Sequence, residues 1–225
     1  MTSSAPTPTP GSVPTPGSVP SVLDLAPVVP VVVLHDAEDA VPLARALVEG
    51  GLPAIEVTLR TEAAPEAIRA IADAVPGAVV GAGTVIGADG VRTAVEAGAR
   101  FLVSPGWTDR LLGAMRETGL PILPGVSTTS EVVALLERGV TEMKFFPAEA
   151  AGGVPYLTSL SSPLPQARFC PTGGVSEANA ASYLALPNVG CVGGTWMLPS
   201  DALAEKDWDR VRRLAAQAAR VISTR

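Results

Sequence analysis

Lysine is nearly missing from this chain: of 16 basic residues, 14 are arginine, and only Lys144 and Lys206 are lysine. Histidine is rarer still. His35 stands alone, so a Ser–His–Asp relay or a histidine-rich metal centre has little to be built from. Two cysteines, Cys170 and Cys191, are too few for a disulfide framework. Both sit in apolar runs and read as buried free thiols in a reducing compartment. Aromatics make up 4%, which leaves Ala, Val, Leu and Ile to fill the core, as in parallel sheets covered by helices. No uninterrupted apolar run reaches about 18 residues, so no membrane span is expected. No basic segment leads into an apolar one at the N-terminus, so no secretory signal is read and the cytoplasm is the expected compartment. The net charge is −6, and no lysine- or arginine-rich block stands out. Arg210, Arg212 and Arg213 fall on a helical pattern as a solvated face, and no nucleic-acid partner is expected.

What is present supports one large domain. Hydrophobic residues reach 47% and charged residues 17% of a 225-residue chain, enough for a single (β/α)₈ barrel of roughly 200 to 250 residues. Residues 1–21 differ in kind. Pro8 to Pro20 repeats Pro-Thr-Pro-Gly-Ser-Val-Pro around a shared Pro14. Such a stretch buries too little apolar area to offset its ordering entropy, and reads as a flexible tail ahead of a catalytic domain over 22–225.

From Pro27 onward, Val/Ile-rich runs alternate with Ala-rich amphipathic segments. Strands are expected at Val28–Leu34, Ala54–Arg60, Ala78–Thr84, Phe101–Ser104, Pro121–Pro124, Thr141–Phe146, Ala167–Thr172 and Val189–Thr195. Helices are expected at Ala37–Glu49, Pro65–Ala74, Asp89–Ala97, Thr108–Thr118, Thr128–Arg138, Val154–Leu160, Glu177–Leu184 and Trp208–Ser223. Gly50-Gly51 stops the first helix, and Pro65 suits a first helical turn. This βα alternation argues for an α/β (β/α)₈ TIM barrel. An open doubly wound sheet would carry a glycine-rich turn after its first strand, where this chain has Leu34-His35-Asp36.

Barrel active sites lie at the C-terminal ends of the strands, which selects Glu56, Arg60, Thr84, Ser104, Lys144, Phe146, Thr172 and Thr195. Strand alternation puts Glu56, Thr58 and Arg60 on one face and Ile55, Val57 and Leu59 on the other; the polar face must look inward. Lys144 lies in the apolar Met143-Lys144-Phe145-Phe146. A chain that writes nearly every cation as arginine keeps here the one that can lose its proton. A sheltered neutral amine attacks ketones, so Lys144 reads either as a nucleophile or as a structural lysine paired with Glu142 or Glu56. Glu56 reads as its proton shuttle or its counter-charge. Two corners, Pro171-Thr172-Gly173-Gly174 and Val192-Gly193-Gly194-Thr195, follow the seventh and eighth strands, where barrels bind phosphate. A helix capped by Ser176 is expected to add its field there. His35 reads as a loop residue, Cys170 as an inert buried thiol, and Arg168 with Glu142 as a structural ion pair deeper in the barrel.

The stretches PVVPVVV (27–33), IEVTLRT (55–61), GAGTV (81–85), SPG (104–106), ILPGVST (122–128), KFFPAE (144–149), RFCPTGGV (168–175) and VGGTW (192–196) run in order over about residues 23 to 222. Together they resemble the 2-keto-3-deoxy-6-phosphogluconate (KDPG) and 4-hydroxy-2-oxoglutarate (KHG) aldolases. That resemblance implies a metal-independent class I aldolase with no cofactor, a homotrimer, acting on a small 2-keto acid phosphate. It implies Lys144 as the Schiff-base residue, Glu56 as general acid/base, and Arg60 with Thr84 on the pyruvate carboxylate. Phe146 is implied near the pyruvate methyl and Thr172 at the aldehyde end, with Gly173, Gly174, Gly194 and Thr195 holding phosphate. Thr195 stands where serine is typical of the family, and the tail has no counterpart there. The rival reading is a sugar-phosphate isomerase or synthase on a phosphate-binding barrel, working without a covalent intermediate.

Overall fold

The computed structural model describes residues 21–221; residues 1–20 of the expected tail fall outside the described residues. Ser21, expected in the tail, caps one 3₁₀ turn, Val22–Asp24: its Oγ accepts from the Leu23 N–H and donates to the Glu142 carboxylate at 2.7 Å.

The strands are β1 (Val28–Val32), β2 (Ala54–Thr58), β3 (Val79–Gly83), β4 (Leu102–Val103), β5 (Ile122–Leu123), β6 (Gly125–Val126), β7 (Glu142–Phe145), β8 (Arg168–Pro171) and β9 (Val192–Gly194). The helices are α1 (Ala40–Glu49), α2 (Ala64–Ala74), α3 (Ala88–Glu96), α4 (Asp109–Glu117), α5 (Thr129–Glu137), α6 (Gly153–Ser161), α7 (Ala180–Leu184), α8 (Ser200–Ala204) and α9 (Trp208–Ala218). Every ladder is parallel. Six strands run in the order β5-β4-β3-β2-β1-β9 and three in the order β6-β7-β8. The fold is thus α/β with a curled parallel sheet.

Among the described residues the sheet is not one unbroken eight-stranded ladder. The expected fifth strand, Pro121–Pro124, is shortened to β5, and past Pro124, whose ring nitrogen has no hydrogen to donate, the chain continues as the unexpected β6; β5 pairs back to β4 and β6 forward to β7. Between β8 and β9 only two isolated bridges form, Phe169 to Val189 and Thr172 to Gly193.

Alternation along the strands gives the sheet two apolar faces. Val28, Val32, Ile55, Val57, Val80, Phe145 and Phe169 belong to the large cluster shared with the helices. Val29, Ala54, Phe101, Val103, Leu123, Cys170 and Cys191 form a second, concave cluster together with Val22 and Leu23. Each of the Val, Leu, Ile and Phe side chains, once buried, contributes about 1.5–3 kcal/mol. The Val22–Asp24 turn closes the end of this inner cluster where the strands begin. Leu23 packs so close to Gly190 that a Cβ there would fall 2.7 Å from the Leu23 Cβ. Arg168 Nη1 donates to Glu142 at 2.8 Å as expected, and Arg168 also reaches Asp24. The hydrogen bond that the guanidinium donates to Asp24 leads in holding its pKa above the ordinary range.

Several helix boundaries depart from expectation for local reasons. The segment Ala37–Asp39 is a 3₁₀ turn capped by Asp36, and α1 begins only at Ala40. The last helix ends at Ala218, short of Ser223, and α8 is an additional short helix. The expected Glu177–Leu184 helix is cut to Ala180–Leu184. The Asn179 side chain turns back instead, accepting from the Ser176 N–H at 2.8 Å and donating to the Gly174 carbonyl at 3.1 Å; Ser176 therefore does not cap α7. Pro65 does sit in the first turn of α2, and Thr128 with Glu131 closes a capping box on α5. The last helix returns to the first: a Cβ on Gly50 would lie 2.5 Å from the Ala215 Cβ, so α1 and α9 meet closely. Among the described residues no helix is long and apolar enough to cross a membrane.

Candidate active site

Lys144 and Glu56 face each other on the concave side, both 3% exposed, and Lys144 Nζ donates to Glu56 Oε1 at 3.1 Å. Alternation places them there: Met143 and Phe145 join the helix-facing cluster, as do Ile55 and Val57. The inward set thus has the composition expected of it, except at Arg60. That residue lies beyond the end of β2 and is exposed, with its Nε donating to Thr84 Oγ1 at 2.9 Å. Thr84 adopts φ 57°, a left-handed conformation rare for a β-branched residue. The strain there fixes the hydroxyl that orients the guanidinium. Thr58 is buried, and its hydroxyl donates to the Val32 carbonyl at 3.0 Å.

Room for this polar group is made by glycines on neighbouring strands. A Cβ on Gly83 would fall 2.1 Å from Glu56 Oε1, and one on Gly193 would fall 2.2 Å from Thr172 Oγ1. Gly125, paired with Lys144 across the ladder, abuts the Pro105 carbonyl, with a Cβ there at 2.3 Å from the oxygen. Replacing Gly83 by alanine should displace the Glu56 carboxylate by about 1 Å. Mispositioning on that scale costs about 10²-fold in kcat; a kcat within twofold of the unaltered protein, measured on material with the same circular dichroism, would show that Glu56 need not sit where it does.

Above the pair, a cavity of about 150 Å³ is lined by Arg60, Phe146, Thr172, Gly173, Gly174, Gly194 and Thr195, together with Val31, Val175 and Gly193. Seven of the expected site residues thus meet around one space. Lys144 and Glu56 are below it, with Lys144 Nζ 5.3 Å from the centroid of the Phe146 ring. Thr84 does not line the cavity and acts on it through Arg60. Gly173 and Gly174 take φ 98° and 80°, which frees their backbone to turn toward an anion. The helix field expected behind that corner does not reach it, since α7 starts only at Ala180 and α8 at Ser200.

Other expectations resolve simply. His35 is exposed in a loop, and Cys170 and Cys191 are free and buried. The Cys191 thiol is pushed up by its hydrogen bond with Cys170 and by burial, the reverse of activation. Ser104 is buried at the end of β4 outside the cavity lining, and its hydroxyl has no hydrogen-bond partner among the described residues. Among those residues no group of three or more His, Cys, Asp or Glu is placed to hold a metal ion. Glu149, Asn179 and Tyr183, to which the sequence assigned no role, brace the Gly173–Gly174 corner from behind.

Comparison with known proteins gives a consistent result. A family model described as KDPG and KHG aldolase matches residues 19–214. The KHG/KDPG aldolase of Escherichia coli is 53% identical over 198 residues, covering 88% of this chain and 93% of that protein. The 2-dehydro-3-deoxy-phosphogluconate aldolase of Dickeya dadantii is 51% identical over 197 residues, covering 88% and 92%. Among solved structures, the KDPG aldolase of Legionella pneumophila, with pyruvate captured at low pH as a covalent carbinolamine, superposes with a TM-score of 0.86 at 44% identity, covering 88% of this chain and 96% of that one. The 2-keto-3-deoxy-6-phosphogluconate aldolase of Zymomonas mobilis with 3-phosphoglycerate gives 0.86 at 46%, covering 90% and 95%.

Proposed function

Because this chain belongs to the KDPG and KHG aldolase family, we propose that it is a class I aldolase. It cleaves 2-dehydro-3-deoxy-6-phosphogluconate to pyruvate and glyceraldehyde 3-phosphate, and acts also on 4-hydroxy-2-oxoglutarate to give pyruvate and glyoxylate. The observation that carries this reading is the buried Lys144–Glu56 pair, 3.1 Å apart, beneath a cavity that holds Arg60 and two diglycine corners. The Legionella relative supports it by carrying pyruvate as a covalent carbinolamine, and the Zymomonas relative by accepting a three-carbon phosphate.

In the proposed cycle Arg60, steadied by Thr84, grips the substrate carboxylate, and Gly173, Gly174, Gly194 and Thr195 take the phosphate. Glu56 is one hydrogen bond from Lys144 Nζ and takes its proton, which frees the amine to bond to C2. The C2 oxygen leaves as water after protonation through Glu56, giving an iminium. The C3–C4 bond then breaks, its electron pair flowing to the iminium nitrogen as the C4 hydroxyl proton passes to Glu56. C4 departs as the aldehyde carbon; the enamine is protonated at C3, and hydrolysis frees pyruvate and Lys144. Phe146 packs over the amine and keeps bulk water from it, and Thr172 meets the departing aldehyde end. No step calls for a metal or cofactor.

The same reading extends to architecture. The two hydrogen-bonded segments are one eight-stranded (β/α)₈ barrel over residues 22–225, with its seams at Pro124 and between β8 and β9. The chain works as a cytoplasmic homotrimer, with the proline-rich tail ahead of Ser21 outside the catalytic unit. The decisive test is reduction with borohydride in the presence of pyruvate, followed by peptide mass mapping. A reduced pyruvyl adduct on the peptide holding Lys144 is expected. An unmodified peptide, with turnover intact, would move the protein among phosphate-binding barrels that work without a covalent intermediate.

A further inference from the structure

The Glu149 carboxylate stands directly behind the proposed phosphate corner, and among the described residues it forms no ion pair. Its Cγ would lie 2.5 Å from a Cβ on Gly174, and the Ala148 and Glu149 N–H groups donate to the Thr172 and Gly173 carbonyls at 2.8 and 3.0 Å. Among the described residues its one side-chain hydrogen-bond partner is the Tyr183 hydroxyl. A negative charge so close to an anion site opposes phosphate binding unless something fixes its direction. Gly174, having no side chain, does not block the carboxylate from swinging across. Tyr183 can hold it: the ring is fully buried in the helix-facing cluster and so cannot follow a moving partner. Burial, then the hydrogen bond and charge of Glu149, push the phenol pKa up, so that it remains a donor across the neutral range.

We propose that Tyr183 is a positioning residue that pins the Glu149 carboxylate away from the Gly173–Gly174 corner, and so sets the enzyme's preference for phosphorylated over unphosphorylated 2-keto acids. The inference rests on the aldolase reading above and deepens it. It makes the KFFPAE loop, through Glu149, part of the phosphate end of the site as well as of the Schiff-base end.

Steady-state kinetics on the full chain test it, with 2-dehydro-3-deoxy-6-phosphogluconate and 4-hydroxy-2-oxoglutarate as the two substrates. For Tyr183→Phe, KM for the phosphorylated substrate should rise about three- to tenfold with kcat within about twofold, and KM for the unphosphorylated one should not rise in step. The rise, relative to the unaltered protein, should shrink in high salt. Adding Glu149→Gln to Tyr183→Phe should remove most of it, because the amide keeps the shape without the charge. A purely structural role for Tyr183 gives equal losses on both substrates, no salt dependence and no rescue, and that pattern overturns the proposal. Binding of inorganic phosphate, followed by calorimetry, should weaken in Tyr183→Phe by the same factor without any turnover. Absence of the pyruvate adduct at Lys144 in the unaltered protein sinks the aldolase reading itself. An adduct present, with phosphate affinity unchanged in Tyr183→Phe, sinks only the pinning role.

Discussion

Lys144→Met is expected to lower kcat/KM by about four orders of magnitude or more and to abolish the borohydride-stable pyruvate adduct, because among the described residues no other amine is buried beneath the cavity. The only other lysine, Lys206, is tied at 2.7 Å to Asp39 at the start of α1. Arginine at position 144 should fail equally, since it keeps its proton and cannot form an imine. The substitution also strands Glu56, a carboxylate 3% exposed. Removing one partner of a buried ion pair costs about 3–5 kcal/mol, so the thermal midpoint should fall with the activity. Adding Glu56→Gln to Lys144→Met separates the two effects: stability should recover in part, while turnover stays absent. Recovery of turnover, or a residual rate within tenfold of the unaltered protein, would show that the chemistry does not pass through this nitrogen.

Glu56→Gln alone keeps the size and one acceptor oxygen but cannot take up a proton. Proton transfer by a positioned side chain is worth about 10²–10⁴ in rate, and kcat should fall by that order while KM changes little. Lys144 remains, so the pyruvate adduct should still form, more slowly, on the same peptide. A kcat that survives this change would leave the carboxylate as a mere counter-charge to the ammonium and call for another shuttle.

The lysine and its partner were legible in the sequence because two one-dimensional signals meet on them. Lysine is scarce, and strand alternation assigns faces without any knowledge of neighbours. Arg60 shows where alternation stops: β2 ends at Thr58, and past that point the pleat no longer fixes direction, so a residue expected inward reaches the rim and is steered by Thr84. The glycines in β3 and β6 carry no assigned role in the sequence and those in β9 read as a phosphate corner, yet Gly83 and Gly193 also give clearance to a side chain on an adjacent strand. Gly83 answers to Glu56, and Gly193 to Thr172. Such pairs are set by register across the sheet, which a single sequence does not carry. The same holds for Glu149 and Tyr183, 34 positions apart, on a loop and a five-residue helix too short to leave a periodic trace. The strand break at Pro124 could be seen as a proline, but which neighbour each half would choose could not.

Ser21 fastens the Val22–Asp24 turn to Glu142, at the opposite end of β7 from Phe145 and the cavity. A label carried on the Val22–Asp24 turn would therefore sit at the base of the molecule and leave the cavity clear, which makes this turn a natural handle for immobilising the enzyme.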